Sequence, residues 1–309
     1  MREGFDVVVI GGANSDYLIK GSALPRGGET IDGTQFDHAP GGKGANQAVA
    51  AARLGARTAF IGMVGLDDRG EQLVRAAQRE GVDTSWLMRS ADAPTGAALV
   101  MVDDQGQKQI MTAPGANRRL GAAEVRRAAA LIRAAKVVLM QLETTIEAVV
   151  EAATIARDAG AAIVLDPAPP STSGTLPDEL LAMITLLKPN AHEAEALVGT
   201  KVHDVNSARD AAKRLMDKGV GAVVVQAGSG GNLAVWRGGE RYMPNLPVES
   251  VDATGAGDAF AAALAVMLAE GRDIEQTARF GHAAAALATT KLGAQAGLPT
   301  RAAVEALLK

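Results

Sequence analysis

Six short apolar runs alternate with longer helical patterns along the chain, and this alternation constrains the fold more than any other feature. The runs are candidate strands at residues 7–10, 57–63, 137–141, 162–166, 186–188 and 222–226. Helical periodicity fills residues 44–54, 71–81, 122–135, 146–159, 178–184 and 207–218. Continuous apolar strands between helices indicate a mostly parallel sheet covered by helices on both faces. The sequence therefore predicts one three-layer α/β/α domain over residues 1–309.

Two segments interrupt the alternation and predict a second, smaller sheet. Residues 17–39 are polar, rich in Gly, Pro and Thr, and carry weak strand patterns. Residues 96–102 and 107–112 flank Asp103-Asp104-Gln105-Gly106, a pattern typical of a hairpin and its turn. The two segments (17–39 and 96–112) are either a small antiparallel β lid or decorated surface loops. We favour the lid, since an element that closes over a reaction site can keep water from it.

Composition excludes several classes of protein. The charges nearly balance, with 31 Lys+Arg against 35 Asp+Glu, and the absence of a basic cluster disfavours nucleic-acid binding. With no cysteine, disulfides and thiolate chemistry are excluded. No apolar stretch approaches the roughly 18 residues of a membrane span, and the N-terminus lacks the apolar core of a signal peptide. We expect a cytoplasmic protein with no membrane partner.

The segment from Val251 to Phe260 reads Val-Asp-Ala-Thr-Gly-Ala-Gly-Asp-Ala-Phe and precedes an alanine-rich helical run. Small residues let the backbone approach a ligand closely, and the free N–H groups at a helix N-terminus suit an anion. Asp258 lies in the first turn, beside that anion. It is either a general base for a hydroxyl that attacks a phosphoryl group or a charge that complements the helix dipole.

A second glycine motif, Pro-Gly-Gly-Lys-Gly-Ala-Asn-Gln, occupies residues 40–47 ahead of another alanine-rich helix. Its glycines again place backbone N–H groups against a ligand, and Asn46 offers a two-sided amide to sugar hydroxyls. The motif lacks the spacer and the Ser/Thr of a phosphate-binding P-loop. Phe260 stands where the last glycine of a dinucleotide fingerprint belongs, which disfavours NAD.

Polar residues follow the predicted strands at their carboxyl ends. Ligands bind at that edge of a parallel sheet, so the shared position indicates a site. The residues that share it are Asn14, Asp16, Glu143, Asp166, Asn190 and Gly228.

Eight motifs together resemble the ribokinase or PfkB family of carbohydrate kinases over nearly the whole chain. They lie at residues 12–16, 41–51, 114–117, 140–143, 167–169, 188–193, 252–258 and 282–286. The two glycine motifs are highly specific to the family. The combination of Asn14, Asp16, Lys43, Asn46 and Glu143 is similar to that of members that recognise a pentose.

The resemblance implies ATP-dependent phosphorylation of the O5 hydroxyl of D-ribose. Asp258 would be the base, and Gly255, Ala256 and Gly257 would offer N–H groups to the charge on the transferring phosphoryl group. The implied sugar-binding residues are Asn14, Asp16, Gly42, Lys43, Asn46, Glu143 and Asp258.

The resemblance also implies sites for ATP, Mg²⁺ and K⁺, and a homodimer formed through the lid. The implied ATP-binding residues are Asn190, Gln226, Gly228, Ser229, Gly231, Gly257 and His282. Relatives often have Thr at the position of Gln226, and His282 would equally fit a core or surface role. Glu193 would position Mg²⁺ through water. The implied monovalent-cation ligands are Asp252 and the carbonyls of Thr254, Ala288, Lys291 and Gly293, with Gly297 where the family has a serine.

Other functions remain open at this point. A kinase of the same family could act on deoxyribose, another sugar or a nucleoside, although 3% aromatic residues leave few rings to stack on a nucleobase. A non-catalytic sugar-binding regulator on the same fold is a further alternative. A nicotinamide-dependent dehydrogenase is the most distant alternative.

Overall fold

Thirteen strands form two sheets in the computed structural model, which describes residues 4–170 and 175–309. The strands are β1 Val7–Ile10, β2 Asn14–Gly21, β3 Gly33–Gly41, β4 Thr58–Gly65, β5 Asp83–Ser90, β6 Gly96–Val102, β7 Lys108–Ala113, β8 Val137–Gln141, β9 Ala162–Asp166, β10 Leu186–Leu187, β11 Ala222–Gln226, β12 Gly231–Trp236 and β13 Gly239–Pro244. Nine of them make the main sheet, in the order β13-β12-β11-β10-β9-β8-β1-β4-β5.

The main sheet is parallel from β11 to β5 and carries β12 and β13 antiparallel at one edge. All six predicted strands lie in it, which confirms the mostly parallel sheet. The sequence patterns missed β5, β12 and β13. These strands lie at or next to the sheet edges, where polar residues interrupt the apolar run.

Helices cover both faces of the main sheet. They are α1 Lys43–Arg53, α2 Asp68–Arg79, α3 Ala122–Arg127, α4 Ala129–Arg133, α5 Ile146–Asp158, α6 Asp178–Leu181, α7 Ala191–Val198, α8 Val205–Asp217, α9 Ala256–Ala269, α10 Ile274–Ala288, α11 Ala294–Gly297 and α12 Arg301–Leu307. The predicted helix at 122–135 is two helices that meet at Ala128. Within the described residues, no helix is both long and apolar enough to cross a membrane.

Alternate residues of the central strands feed two separate cores, which confirms the three-layer arrangement. Val7 and Val9 pack with α1, α9 and α10 on one face, and Val8 and Ile10 pack with α3, α5 and α8 on the other. Because α9 is built largely of alanine, it packs closely against α1, α10, β8 and β9. This packing brings the N-termini of α1 and α9 together.

The smaller sheet has the order β3-β2-β6-β7 and spans residues 14–41 and 96–113. The hairpins β2–β3 and β6–β7 are antiparallel, as expected, and β2 and β6 join them in parallel. The β2–β3 hairpin lies between β1 and α1 in the chain, so the inner end of the smaller sheet lies at the carboxyl edge of the main sheet. We call these four strands the lid.

Candidate active site

Asp258 lies in the first turn of α9 and is only 5% exposed. The amide of Asn46 donates to its Oδ2 at 3.0 Å, and the amide of Gln47 donates to its Oδ1 at 3.0 Å. Gln295 in turn donates to Asn46 Oδ1 at 3.1 Å, which fixes the orientation of that amide. The carboxylate is thus held by donors, and an acceptor-only group with remaining lone pairs can take a proton from an alcohol.

A buried chain of amides and charges continues from Gln47. Its Nε2 also donates to Asp166 Oδ2 at 2.9 Å, and its Oε1 accepts from Gln141 at 2.5 Å. The Lys188 ammonium donates to the other oxygen of Asp166 at 3.3 Å. Gln47 therefore connects Asp258 to Asp166 at the centre of the site.

Lys43 is the first residue of α1, and its backbone N–H donates to Glu143 Oε2 at 2.8 Å. Burial lowers the pKa of the Lys43 ammonium. The negative charges of Asp258, Asp166, Glu143 and Glu193 outweigh burial and raise that pKa. Lys43 therefore keeps its positive charge in a cluster dominated by carboxylates.

Asp16 and Glu143 are half-buried carboxylates with raised pKa values. Burial, with the charges of Glu143 and Asp258, raises the pKa of Asp16 to about 7. Burial also raises the pKa of Glu143 to about 7, against the lowering effect of Lys43. Asp16 Oδ1 is buried and has no hydrogen-bond partner among the described residues. A buried acceptor without a donor fits a ligand hydroxyl.

Asn14 is held in place by Asn117. The Asn117 amide donates to Asn14 Oδ1 at 2.8 Å, and Asn117 Oδ1 accepts from the backbone N–H of Ala13 at 3.0 Å. Asn117 belongs to the Pro-Gly-Ala-Asn motif at residues 114–117, so this motif orients a predicted sugar-binding residue.

Two glycines shape the backbone around the site. Gly42 caps α1 with φ +87°, and a Cβ there would lie 2.7 Å from the Asn14 nitrogen. Gly255 caps α9 with φ +83°, and a Cβ there would lie 2.7 Å from the Ala294 carbonyl oxygen. Both the left-handed conformation and the close approach require glycine.

The predicted anion hole lies at the start of α9. The N–H of Ala256 already donates to the Ala253 carbonyl at 3.2 Å. The Lys188 ammonium lies 3.1 Å from the point where a Cβ on Gly257 would stand. A positive charge therefore stands beside the helix N-terminus, where both favour an anion.

A cavity of about 450 Å³ lies between the β11–β12 turn, α9 and α10. Of the residues predicted for ATP, Gln226, Gly228, Ser229, Gly231 and His282 line it. The structure adds Asn232 and Asn245 to the lining. The cavity has the size and the mixed polar and apolar wall of a small-molecule site.

His282 is fixed in this wall. Its Nε2 and the Pro244 carbonyl are 2.9 Å apart, and its Nδ1 lies 3.1 Å from the Asn232 amide. Burial lowers the pKa of His282, against the raising effect of the Pro244 carbonyl. These partners suit the neutral tautomer in which Nε2–H donates to Pro244.

Asn190 and Glu193 form a reciprocal cap on α7. Asn190 Oδ1 accepts from the Glu193 N–H at 2.8 Å, and the Glu193 carboxylate accepts from the backbone and side-chain nitrogens of Asn190, each at 2.8 Å. Burial, followed by the negative charge of Asp166, raises the pKa of Glu193. The Asn190 amide is therefore engaged in the cap and does not line the cavity.

The residues predicted to hold a monovalent cation lie together behind the anion hole. Asp252 Oδ2 accepts from the Gly293 N–H at 2.9 Å. The carbonyl oxygens of Ala288 and Lys291 both lie within 4 Å of the point where a Cβ on Gly297 would stand. A side chain at position 297 would collide with the Ala288 carbonyl oxygen. Glycine at this position therefore lets both carbonyl oxygens lie close to the backbone of residue 297.

Comparison with known proteins identifies the family. The sequence model of the family described as pfkB family carbohydrate kinase matches residues 5–301 of this chain. The chain belongs to this family. It is 40% identical over 295 residues to the ribokinase of Haemophilus influenzae, covering 96% of this chain and 95% of that protein. It is 38% identical over 303 residues to the ribokinase of Bacillus subtilis, covering 98% and 99%.

Solved structures agree with this assignment. The structure of Arabidopsis thaliana ribokinase complexed with ribose and ATP superposes with a TM-score of 0.89 at 33% identity, covering 99% of each chain. The resemblance drawn from the motifs, and the mixed α/β fold it implied, are thereby confirmed. The chain shares the architecture of this ribokinase over 99% of its length.

Several residues of the site of this pfkB-family kinase escaped sequence reasoning. They are Gln47, Lys108, Asn117, Gln141, Lys188, Asn232 and Asn245. An amide such as Gln47 inside an alanine-rich helix was a signal, because a buried polar group needs a partner. Lys108 gave no such signal, since exposed lysines are common on hairpins.

Proposed function

We propose that this chain transfers the γ-phosphoryl group of ATP to the O5 hydroxyl of D-ribose and releases ribose 5-phosphate and ADP. The observation that carries the proposal is Asp258, held by Asn46 and Gln47 between a cluster of polar sugar-type ligands and the N-terminus of α9. The relatives described as ribokinases, one of them complexed with ribose and ATP, support the same substrates.

In this mechanism Asp258 accepts the O5 proton while O5 attacks the γ-phosphorus. The bond to the oxygen that bridges the β- and γ-phosphates breaks, and ADP leaves with that oxygen. The N–H groups of Gly255 and Gly257 would face the charge that spreads over the transferring group, whereas the Ala256 N–H is engaged with the Ala253 carbonyl. The Lys188 ammonium adds a positive charge beside Gly257. The helix N-terminus and this ammonium act where negative charge develops.

Ribose recognition rests on the carboxylates and amides near the inner end of the lid. Asp16 has an unpartnered buried oxygen, and Asn14 is oriented by Asn117. Lys43 donates, Glu143 accepts and Gly42 admits the sugar close to the backbone. A site built to pair a hydroxyl rejects a sugar that lacks it, so this cluster favours ribose over 2-deoxyribose.

ATP occupies the cavity of about 450 Å³ with its phosphates toward Gly255–Gly257. Gln226, Gly228, Ser229 and Gly231 form one wall and His282 forms another. Asn190 acts through its cap on α7, at the edge where the phosphates would lie. The alanine face of α10 leaves room for a planar base.

Mg²⁺ fits near Asp166 and Glu193. Both groups offer carboxylate oxygens, and the raised pKa of Glu193, due to burial and then to Asp166, reflects a repulsion that a cation would relieve. Magnesium keeps several of its waters, so one or two carboxylates and the phosphates suffice to hold it. When bound, it would neutralise charge on the ATP phosphates.

A monovalent cation such as K⁺ fits between Asp252 and the carbonyls of Thr254, Ala288, Lys291 and Gly293. The clustering of the Ala288 and Lys291 oxygens supports this position. Bound there, the ion would stabilise the backbone turn that presents the anion-hole amides. Activity should therefore be lower when K⁺ is replaced by a bulky organic cation.

We also infer a cytoplasmic homodimer formed through the lids. ATP and free ribose meet in the cytoplasm, and the outer face of the lid is apolar. On this face Phe36 is 62% exposed and Met111 is 74% exposed. A group of exposed apolar side chains on one face favours an interface, whereas single scattered ones would need no partner.

The decisive experiment couples ADP release to a panel of sugars, with Asp258→Asn beside wild type. Wild type should prefer ribose over 2-deoxyribose, other sugars and nucleosides. Asp258→Asn should lose about 10²- to 10⁴-fold in kcat, since it loses its general base. The exposed Asp217→Asn variant is the matched control and should keep full activity.

Activity of Asp258→Asn within tenfold of wild type would remove the proposed base. Preference for another sugar or a nucleoside would keep the kinase and replace the substrate. Ribose binding without ADP production by wild type would instead identify a non-catalytic regulator.

A further inference from the structure

Lys108, the first residue of β7, reaches out of the lid to the loop that precedes α9. Its ammonium donates to Asp252 Oδ1 at 2.6 Å and to Thr254 Oγ1 at 2.8 Å. The Asp252 side chain is 4% exposed, and that of Lys108 is 32% exposed. The ion pair therefore joins the lid to a nearly buried carboxylate of the main domain, 144 residues along the chain.

Asp252 is the one residue of the predicted cation site that would bind the ion through a charged side chain, since the others would use backbone carbonyls. Its Oδ2 faces the Gly293 N–H, while its Oδ1 takes the lid ammonium and two donors from Thr254. The lid ammonium therefore already neutralises this carboxylate within the chain itself.

We propose that Lys108 is a lid-borne cation that shares the Asp252 carboxylate with the monovalent ion and weakens the binding of that ion. The proposal rests on the cation site described under the proposed function. One negative charge attracts two positive charges that repel each other, and the repulsion is strong because Asp252 is nearly buried.

Gly297 is consistent with this division of charge. A residue without a side chain offers no hydroxyl to the ion, so the ion would rely on carbonyl oxygens and on Asp252. A competing ammonium at Asp252 would therefore remove a large part of the attraction that holds the ion. The position of the lid would then set the affinity for the ion, because β7 carries the ammonium to Asp252.

The test measures how K⁺ stabilises the protein without any turnover. Thermal unfolding midpoints are recorded against KCl, with tetramethylammonium chloride keeping the ionic strength constant. In Lys108→Met, the K⁺ concentration for half-maximal stabilisation should fall about tenfold relative to wild type. Lys108→Arg keeps the positive charge and should respond like wild type.

Lys20→Met is the matched control. Lys20 is also a lid lysine, in the same row of the sheet as Lys108, but its ammonium pairs with the exposed Asp104 of the lid at 3.5 Å rather than with Asp252. It should leave the K⁺ response unchanged. The same order of half-maximal K⁺ concentrations should appear in the ADP-release assay.

Equal K⁺ responses in wild type and Lys108→Met would overturn the role of Lys108 and leave the cation site intact. A protein that shows no K⁺-specific stabilisation in any variant would overturn the cation site and, with it, the sharing of Asp252. Either result would leave the proposal of ribose phosphorylation standing, because that proposal is tested separately by ADP release from Asp258→Asn.

Discussion

Two consecutive residues of α1 hold the carboxylate of Asp258. Neighbouring side chains on a helix diverge by about 100°, so Asn46 and Gln47 can both reach one group only if it lies across the face between them. Asp258 meets this condition because α9 packs directly against α1. Gln47 is fully buried and also bonds Asp166, so it positions the base without facing solvent.

Replacing Gln47 with methionine should slow the reaction more than it weakens binding. The change keeps the side-chain volume but removes the donor to Asp258 and Asp166, and an unmet buried group costs about 1–3 kcal/mol. We expect kcat to fall about 10- to 100-fold and the KM for ribose to change less than about threefold.

Gln78→Met is the surface control, since Gln78 is exposed and its side-chain amide donates to the hydroxyl of Thr84. It should behave as wild type in both kcat and KM. A Gln47→Met enzyme with an unchanged kcat would show that Gln47 serves packing alone.

At the scale of elements, the lid has two faces with different chemistry. Asp16 lies on the face directed at the sugar cluster, and side chains alternate along each strand. The pairing of Ile19 with Phe36 and of Leu99 with Met111 places these four side chains on the opposite face. Tyr17 stacks on Phe36 at 6.3 Å between ring centroids on that same outer face.

Phe36→Glu should convert the proposed dimer to a monomer. A charge at the centre of an apolar interface would be desolvated without a partner, which costs several kcal/mol. Light scattering after size exclusion gives the mass directly. Leu66→Glu, at a position 72% exposed outside the lid, should leave the mass of wild type unchanged. A monomeric wild type would contradict the dimer itself.

The edge elements explain where sequence patterns fell short. The central strands are apolar on both faces and were found at once, whereas β5 and β13 mix polar and apolar residues because one side of each meets solvent. Ala128 gave no sign of a break, yet it separates α3 from α4. Local residue choice does not record which edge of a sheet a strand will occupy.

For the whole molecule, the site has a cost in stability that depends on pH. Asp16 and Glu143 have pKa values raised to about 7 in the folded chain, above their ordinary values of 3.8 and 4.5. The folded state therefore binds more protons than the unfolded state between about pH 4 and pH 7. Stability without ligands should fall as pH rises through that window and level off above it.

Asp16→Asn should remove its part of this pH dependence. Without ligand, the variant should be more stable than wild type at pH 8 by at least about 1 kcal/mol, and the difference should shrink toward pH 4. Urea unfolding at a series of pH values measures it, with the exposed Asp104→Asn as control. A constant difference across the series would contradict the raised pKa of Asp16.

The order of strands and helices, the apolar faces and the two glycine motifs were all readable from the sequence, because each depends on residues close together in the chain. Which polar groups meet was decided by the tertiary structure. Gln47 and Asp258 are 211 residues apart, and Lys108 and Asp252 are 144 apart. Packing of α9 on α1 makes the first contact and closure of the lid sheet makes the second. A hydrogen bond needs a partner within about 3 Å, and no local pattern encodes that distance.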